Sequence, residues 1–401
     1  GEKMELLSPA GNMEKLKAAI YFGADAVYVS GKKFGLRAFA GNFDENELKE
    51  AANFVHKRGK KIYVTVNIVA HNSDFNGLEE YLKYLEEIGI DAIIASDIGI
   101  ISFAKQYAPK LEIHVSTQAN VTNKFDAKFF ADFGAKRIVL ARELSIDEIK
   151  EIRRFLPKEV ELEAFVHGAM CISYSGRCLL SNYLTGRDGN RGACVQACRW
   201  EYTICEKSRG GEGYEIQEDN RGTYILNSKD LNMIEHLKEL EEAGVSSFKI
   251  EGRMKSSYYV ANITNAYRRA LDAIERGEEV SEEIYNETFK SSHRNYATGF
   301  YFGKPEQNLE TSMPVATHEF VAVVLEDAKD GKVFVEMRNR FEKGDELEVL
   351  SPNETFNKKI IVSKMTNEQG EEIEVAKNVQ EKLWIETNLP LKTGDILREK
   401  N

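Results

Sequence analysis

The chain has 401 residues and a formal net charge of -11, from 54 Lys and Arg against 65 Asp and Glu. Its 42% apolar content is enough for real cores, and at about 150 residues per domain the length suggests two domains, or one large barrel with an appendage. The acidic balance excludes attraction to nucleic acid as a property of the whole surface, and there is no apolar run of the roughly 18 residues that a membrane span needs.

The first residues, Gly1-Glu2-Lys3-Met4-Glu5, lack the apolar stretch of a signal peptide, so a cytoplasmic protein is expected. The chain then repeats one rhythm: a short apolar run, a helical stretch, a Gly and a polar turn. Eight runs read as strands. They are Glu5-Leu6-Leu7, Ala26 to Val29, Ile62 to Val66, Ala92 to Ala95, Ile113 to Ser116, Arg137 to Leu140, Leu162 to Val166 and Ser247 to Ile250. Between them lie amphipathic patterns such as Leu78-Glu79-Glu80-Tyr81-Leu82. Gly23, Gly89, Gly134 and Gly244 mark helix ends, where glycine takes the left-handed conformation cheaply. Such alternation predicts an α/β fold with a parallel sheet, and eight units predict a closed (β/α)8 TIM-like barrel. An open doubly wound sheet is the rival.

In a barrel of this kind the C-terminal strand ends build the active face. Those positions hold Ser8, Tyr28, Asn67, Asp97, Gln118, Arg142 with Glu143, His167, and Lys249 with Glu251 and Arg253. Arg142, Lys249 and Arg253 suit an anionic ligand, since Arg binds carboxylates bidentately; the plainer reading is ordinary salt bridging with Glu143 and Glu251. His167 suits a general acid or base, or a partner of a metal centre. The interior His114 reads as a satisfied core histidine. The catalytic candidates are His167, Glu163, Gln118 and Asn67.

Residues 168 to 245 form an insertion that carries all five cysteines: Cys171, Cys178, Cys194, Cys198 and Cys205. An odd number, clustered in a chain expected in a reducing compartment, argues for metal rather than disulfides. The spacing is not that of a zinc ribbon, and an iron-sulfur cluster, zinc and buried free thiols all remain open. The loop Arg187-Asp188-Gly189-Asn190-Arg191-Gly192, with Arg199 and Trp200 beyond it, could grip a phosphate backbone and stack a base. Trp200 to Ile204 and Gly222 to Leu226 are expected to form a hairpin with a Gly-rich tip at 208 to 213. A linker is expected from Tyr301-Phe302-Gly303-Lys304-Pro305. From about His318 the pattern turns to period two, which predicts a small antiparallel β-barrel. The expected domains are 1-310 and 315-401. No dinucleotide fingerprint, Walker loop, nucleophile elbow or H-E-x-x-H motif is present.

Several long segments resemble the signature of peptidase family U32: Glu163-Ala164-Phe165-Val166-His167-Gly168-Ala169-Met170-Cys171, Ser175-Gly176-Arg177-Cys178, Arg187 to Cys194, and Phe248-Lys249-Ile250-Glu251-Gly252-Arg253. The resemblance covers nearly the whole chain. Within that family the chain is similar to the branch that hydroxylates C5 of uridine 34 in the tRNA anticodon loop. The resemblance implies a [4Fe-4S] cluster on Cys171, Cys178, Cys194 and Cys198, with Cys205 spare, and prephenate as the hydroxyl source. The substrate-binding candidates, from the strand ends and the basic loop, are Arg142, Lys249, Glu251, Arg253, Arg187 and Arg191. The dicarboxylate donor suits the strand-end cations. Two other functions fit the family: a collagenase-like peptidase, and a non-catalytic RNA-binding protein with a structural cluster. A partner chain or a second copy is also open.

Overall fold

The computed structural model describes residues 3–34, 42–171, 178, 180–188, 190, 194–197, 203–205, 213–215, 229–252, 255–303 and 314–401, with backbone only at 180–181, 203–205 and 213–215. Eight parallel strands form a closed ring. They are β1 (Glu5–Pro9), β2 (Ala26–Ser30), β3 (Lys61–Thr65), β4 (Ala92–Ala95), β5 (Glu112–Val115), β6 (Arg137–Val139), β7 (Glu161–Gly168) and the closing strand Ser247–Ile250. Each pairs in parallel with the next, and the closing strand pairs with both β7 and β1. The eight strands expected from the apolar runs are these eight, and the open sheet is thereby excluded. Two short strands extend the sheet: Asp230–Asn232, antiparallel to β7, and Tyr296–Ala297, parallel to Asp230–Asn232.

The crossover helices start on side-chain caps. The helix Glu45–Lys57 carries a capping box in which Asp44 accepts from the Glu47 amide at 2.8 Å and Glu47 accepts from the Asp44 amide at 3.2 Å. The helix Ile146–Phe155 repeats the device with Ser145 and Glu148. Asp97 caps the helix Ile98–Tyr107 by accepting from the Ile100 amide at 3.1 Å. That local duty explains its place at a strand end without any ligand. The predicted glycine stops all have positive φ, +109° at Gly134 for example.

By contacts the chain divides into two compact units. The first holds Gly1–Leu16, Asp25–Met254 and Arg294–Met313, and with them the whole barrel. Tyr301 belongs to this unit and is buried rather than part of a free linker. Its hydroxyl donates to the Phe165 carbonyl at 2.5 Å, and its own carbonyl accepts from the Ile146 amide at 3.0 Å. Burial pushes its phenol pKa up. Within the insertion, the described pairing joins Thr203–Cys205 to Gly213–Glu215. Gly213, assigned from sequence to the hairpin tip, is therefore in a strand; the segment 222–226, expected as the partner, lies outside the described residues.

The second unit holds Lys17–Ala24, Lys255–His293 and Pro314–Asn401. Its main element is an antiparallel sheet of eight strands, curved around a core that includes Val321, Val333, Val335, Leu347, Leu383 and Leu397. The helix Ser257–Glu275 packs with this unit, so the contact seam falls earlier than the composition change near 310. The reason is a buried charge cluster. Arg398 donates to Glu287 at 2.9 and 3.0 Å, to Asn262 at 3.2 Å, to Asn357 at 2.7 Å and to Glu348 at 2.8 Å.

Candidate active site in the barrel

Contacts between strands that are not neighbours in the ring must cross its interior. Arg137, first residue of β6, reaches Glu5 at the start of β1 at 2.7 Å. It also binds Glu161 at 2.8 Å and Glu163 at 3.0 Å. Tyr63 of β3 donates to Glu5 at 2.7 Å and packs its ring 4.6 Å from His114 of β5. The floor of the barrel is thus one guanidinium held by three carboxylates. Burial raises the Glu5 carboxyl, but Arg137 outweighs it and the net shift is downward. Burial lowers the Arg137 pKa, and Glu5 and Glu163 more than reverse that. Burial depresses His114, against the raising effect of its 3.1 Å contact with Glu112. His114 is a core histidine, as its position inside a strand suggests, but not a fully satisfied one: Nδ1 is buried without a hydrogen-bond partner among the described residues.

From this floor a polar column rises to the mouth. Glu163 is 1% exposed and accepts from Ser247 at 2.8 Å through Oε1. Its Oε2 is 3.9 Å from Lys249 Nζ, too long for a hydrogen bond. Lys249, 5% exposed, sits 4.4 Å from the Tyr28 ring centre and 5.0 Å from that of Phe165. Arg142 lies over the Phe165 ring at 4.1 Å, donates to the Ala169 carbonyl at 3.0 Å and stands 3.9 Å from Glu251. Glu163 Oε2 and Arg142 Nε are buried without a hydrogen-bond partner among the described residues. Buried polar atoms left in this state mark a place where a ligand or water can bind.

Gly168 is what lets the mouth close up. It has φ +112°, and a Cβ there would meet Glu251 Cβ and O at 2.8 Å. Next to it, His167 is 1% exposed, with Nε2 3.4 Å from the Tyr296 hydroxyl and the two rings 5.3 Å apart. Asn67 is buried just beyond β3, and Gln118 is half-buried on the turn Thr117–Ala119, its amide bonded to Ser116 Oγ. The structure therefore brings Arg142, Lys249, Glu251 and Glu163 into one column. His167 stands beside Tyr296. Glu163 is at the lower end of the column, not among the strand-end residues. Arg253, Arg191, Arg199, Trp200 and Cys198 lie outside the described residues. Arg187 is exposed on the insertion. Arg137, Ser247, Phe165 and Tyr296 were missed by sequence reading. The one available signal was a charged residue opening a strand at Arg137.

The insertion reaches the barrel through Asn190. Its side chain donates to the Cys178 carbonyl at 2.8 Å, and its carbonyl accepts from the Val69 amide beyond β3 at 3.1 Å. Cys171 and Cys194 are exposed and Cys178 is half-buried. The Gln196 amide donates to Cys194 Sγ at 3.4 Å, a contact of the kind that supports a thiolate ligand. Among the described residues no three His, Cys, Asp or Glu side chains are close enough to hold a metal ion by themselves. As a donor set, thiols from one stretch, one of them already accepting an amide hydrogen, would suit a soft centre.

The sequence matches Peptidase family U32 over residues 11–311 and the Peptidase family U32 C-terminal domain over residues 316–398. The chain belongs to peptidase family U32. This U32 chain is 41% identical over 384 residues to "tRNA hydroxylation protein P1" of Bacillus subtilis, covering 94% of this chain and 90% of that one. It is 36% identical over 442 residues to "tRNA hydroxylation protein P" of Escherichia coli, covering 100% and 97%. It is 34% identical over 313 residues to "Collagenase" of Porphyromonas gingivalis, covering 75% and 74%. No helix among the described residues of the U32 chain is long and apolar enough to cross a membrane.

Proposed function

We propose that this chain hydroxylates tRNA in the cytoplasm, at C5 of uridine 34, with prephenate as the hydroxyl source and a [4Fe-4S] cluster as cofactor. The observation that carries the reading is the near full-length match, in both directions, to two proteins named for tRNA hydroxylation. The barrel column supports the donor assignment. Arg142 and Lys249 flank one aromatic ring, so a compact dicarboxylate can meet a cation at each end with its apolar body against Phe165. Glu251 and Glu163 lie 3.9 Å from Arg142 and Lys249 respectively, near enough to balance their charge. His167, beside Tyr296, is placed to hold or move a proton at Nε2. A uridine from an anticodon loop is single-stranded and costs little to splay out.

The cluster would be held by Cys171, Cys178, Cys194 and Cys198. When bound it supplies a redox-active or Lewis-acidic centre on the insertion. The test has two parts. Deleting the gene should remove 5-hydroxyuridine and its derivatives from tRNA nucleosides analysed by mass spectrometry, and Cys171→Ala should fail to restore them. Anaerobic purification should give brown protein with equal iron and sulfide, and a colourless zinc protein would defeat the cofactor assignment. The match to a protein named collagenase favours a second reading, peptide hydrolysis. Cleavage of denatured collagen by the purified chain, with tRNA nucleosides unchanged in the deletion strain, would select it.

A further inference from the structure

The C-terminal sheet carries an open groove of about 600 Å3. The strands Lys332–Met337 and Lys382–Glu386 run antiparallel there, with Phe334 opposite Trp384 and Lys332 opposite Glu386. Val333, Val335, Leu383 and Ile385 are buried in the core, so period two turns Lys332, Phe334, Trp384 and Glu386 to the other face. The Phe334 and Trp384 ring centres are 4.7 Å apart, and both rings are half-buried. Thr366 stands beside Trp384 on the next strand, and Lys359, Ile361 and Lys364 are among the other lining residues. Ile361 is 58% exposed. Single exposed apolar residues are ordinary, but here Trp384, backed by Phe334, and an exposed isoleucine line one groove, a grouping of the kind that marks a binding surface.

The charge around the patch selects the occupant. Three lysines face it against Asp330 and Glu386, a local positive excess in a chain of net charge -11. Lys332 Nζ lies 4.6 Å from the Trp384 ring centre on an exposed stem that can swing aside. Lys359 pairs with Glu346 at 3.0 Å on the open surface, where such pairs are worth little. Lys364 makes no ion pair among the described residues. Aromatic faces interleaved with lysines are the arrangement that holds single strands, the bases stacking while the ammonium groups follow the phosphates.

We propose that this groove binds single-stranded RNA, with one base stacked on Trp384 and the flanking phosphates met by Lys332, Lys359 and Lys364. The inference rests on the tRNA reading above and extends it to a second surface, on a different unit from the barrel column.

The test uses the full chain. With Trp200→Phe, Trp384 is the only tryptophan left. Titration with an oligouridylate of about eight nucleotides should then quench its fluorescence. Trp384→Ala should weaken binding of the oligouridylate, and of an unmodified tRNA transcript, by roughly 5- to 100-fold. Lys364→Ala should lower the slope of log affinity against log salt by about 0.7. Absence of quenching, or unchanged affinity and salt slope in variants with native circular dichroism, overturns the proposal. Quenching by polyglutamate in place of the oligouridylate also overturns it, in favour of a protein partner. If Trp384→Ala fails to fold, the quenching and the Lys364→Ala slope decide. A deletion strain with normal tRNA nucleosides would instead remove the tRNA reading, and the quenching would still judge the groove.

Discussion

Each unit buries an arginine among carboxylates, and the two clusters differ in how completely they are satisfied. Around Arg398, the side chains of Glu287, Glu348, Asn262 and Asn357 take up its hydrogens, with Lys290 2.8 Å from Glu287 and 2.9 Å from Glu348. Around Arg137 the floor is equally well bonded, but one oxygen of Glu163 is left over, with Lys249 just beyond hydrogen-bond reach. A closed cluster holds elements together. An open one keeps binding capacity for something else, at a cost in stability that a purely structural cluster has no reason to carry.

The largest effect that would sharpen this contrast is Arg398→Met. It leaves the fully buried Glu287 short of its main partner and should cost about 3–5 kcal/mol in chemical denaturation. Gly168→Ala comes next. It should cost on the order of 1–3 kcal/mol, because a side chain at that φ is strained and also strikes Glu251. It should also abolish complementation of the tRNA phenotype, since the added methyl falls on Glu251, which stands 3.9 Å from Arg142 in the column. Glu163→Gln should cost less, roughly 1–2 kcal/mol, because Glu5 and Glu161 still hold Arg137. Hydroxyuridine should nevertheless fall at least about 10-fold, the size of effect expected when a positioning partner is removed. A Glu163→Gln protein with normal tRNA nucleosides would show the floor to be as purely structural as the Arg398 cluster.

The smallest effects concern pH. Glu5 and Glu348 titrate below their ordinary 4.5 when folded; burial opposes this in both, and Arg137 for Glu5, and His318, Arg398 and Lys290 for Glu348, prevail. Both therefore add stability above about pH 4.5 that is lost as the pH falls further. His114 is held below 6.5 by burial, with Arg137 acting in the same direction and Glu112, Glu163 and Glu5 opposing. The folded state thus binds its proton less readily than the unfolded chain, and stability should already slope downward as pH drops below about 6.5. His114→Phe should flatten that shallow slope and keep most of the acid limb, losing only the part His114 gives through Glu112 and Glu5; melting temperatures across the range would show whether it does.

The strands were legible because each buried run is apolar, bounded by glycine, and long enough for its period to show. The polar strand ends were legible too, since a core would not finish its strands with Asn67, Arg142 and His167. The floor was not legible. Ser247 and Glu5, bonded at 3.0 Å, are 242 positions apart, and nothing local to either residue announces the other. Asp97 shows the opposite error: a strand-end carboxylate that sequence grouped with the mouth serves the first turn of a helix. Tyr301 was misread because its neighbours Gly303 and Pro305 suggest a turn, while its anchor, the Phe165 carbonyl, is 136 positions earlier. Phe165 itself was visible only as part of a motif, and its place between two cations is a property of the closed ring.

The way the ring closes has a consequence for biosynthesis. The edge of β1 is made at Glu5–Pro9, yet its second neighbour, Ser247–Ile250, leaves the ribosome some 240 residues later. At about 5–20 residues per second that is a wait of roughly 10–50 seconds with two unpaired strand edges exposed. All five cysteines are translated inside that interval, before the last stave is in place. A nascent chain stalled just short of Ser247 should therefore be a chaperone client, and one stalled well past Ile250 should not.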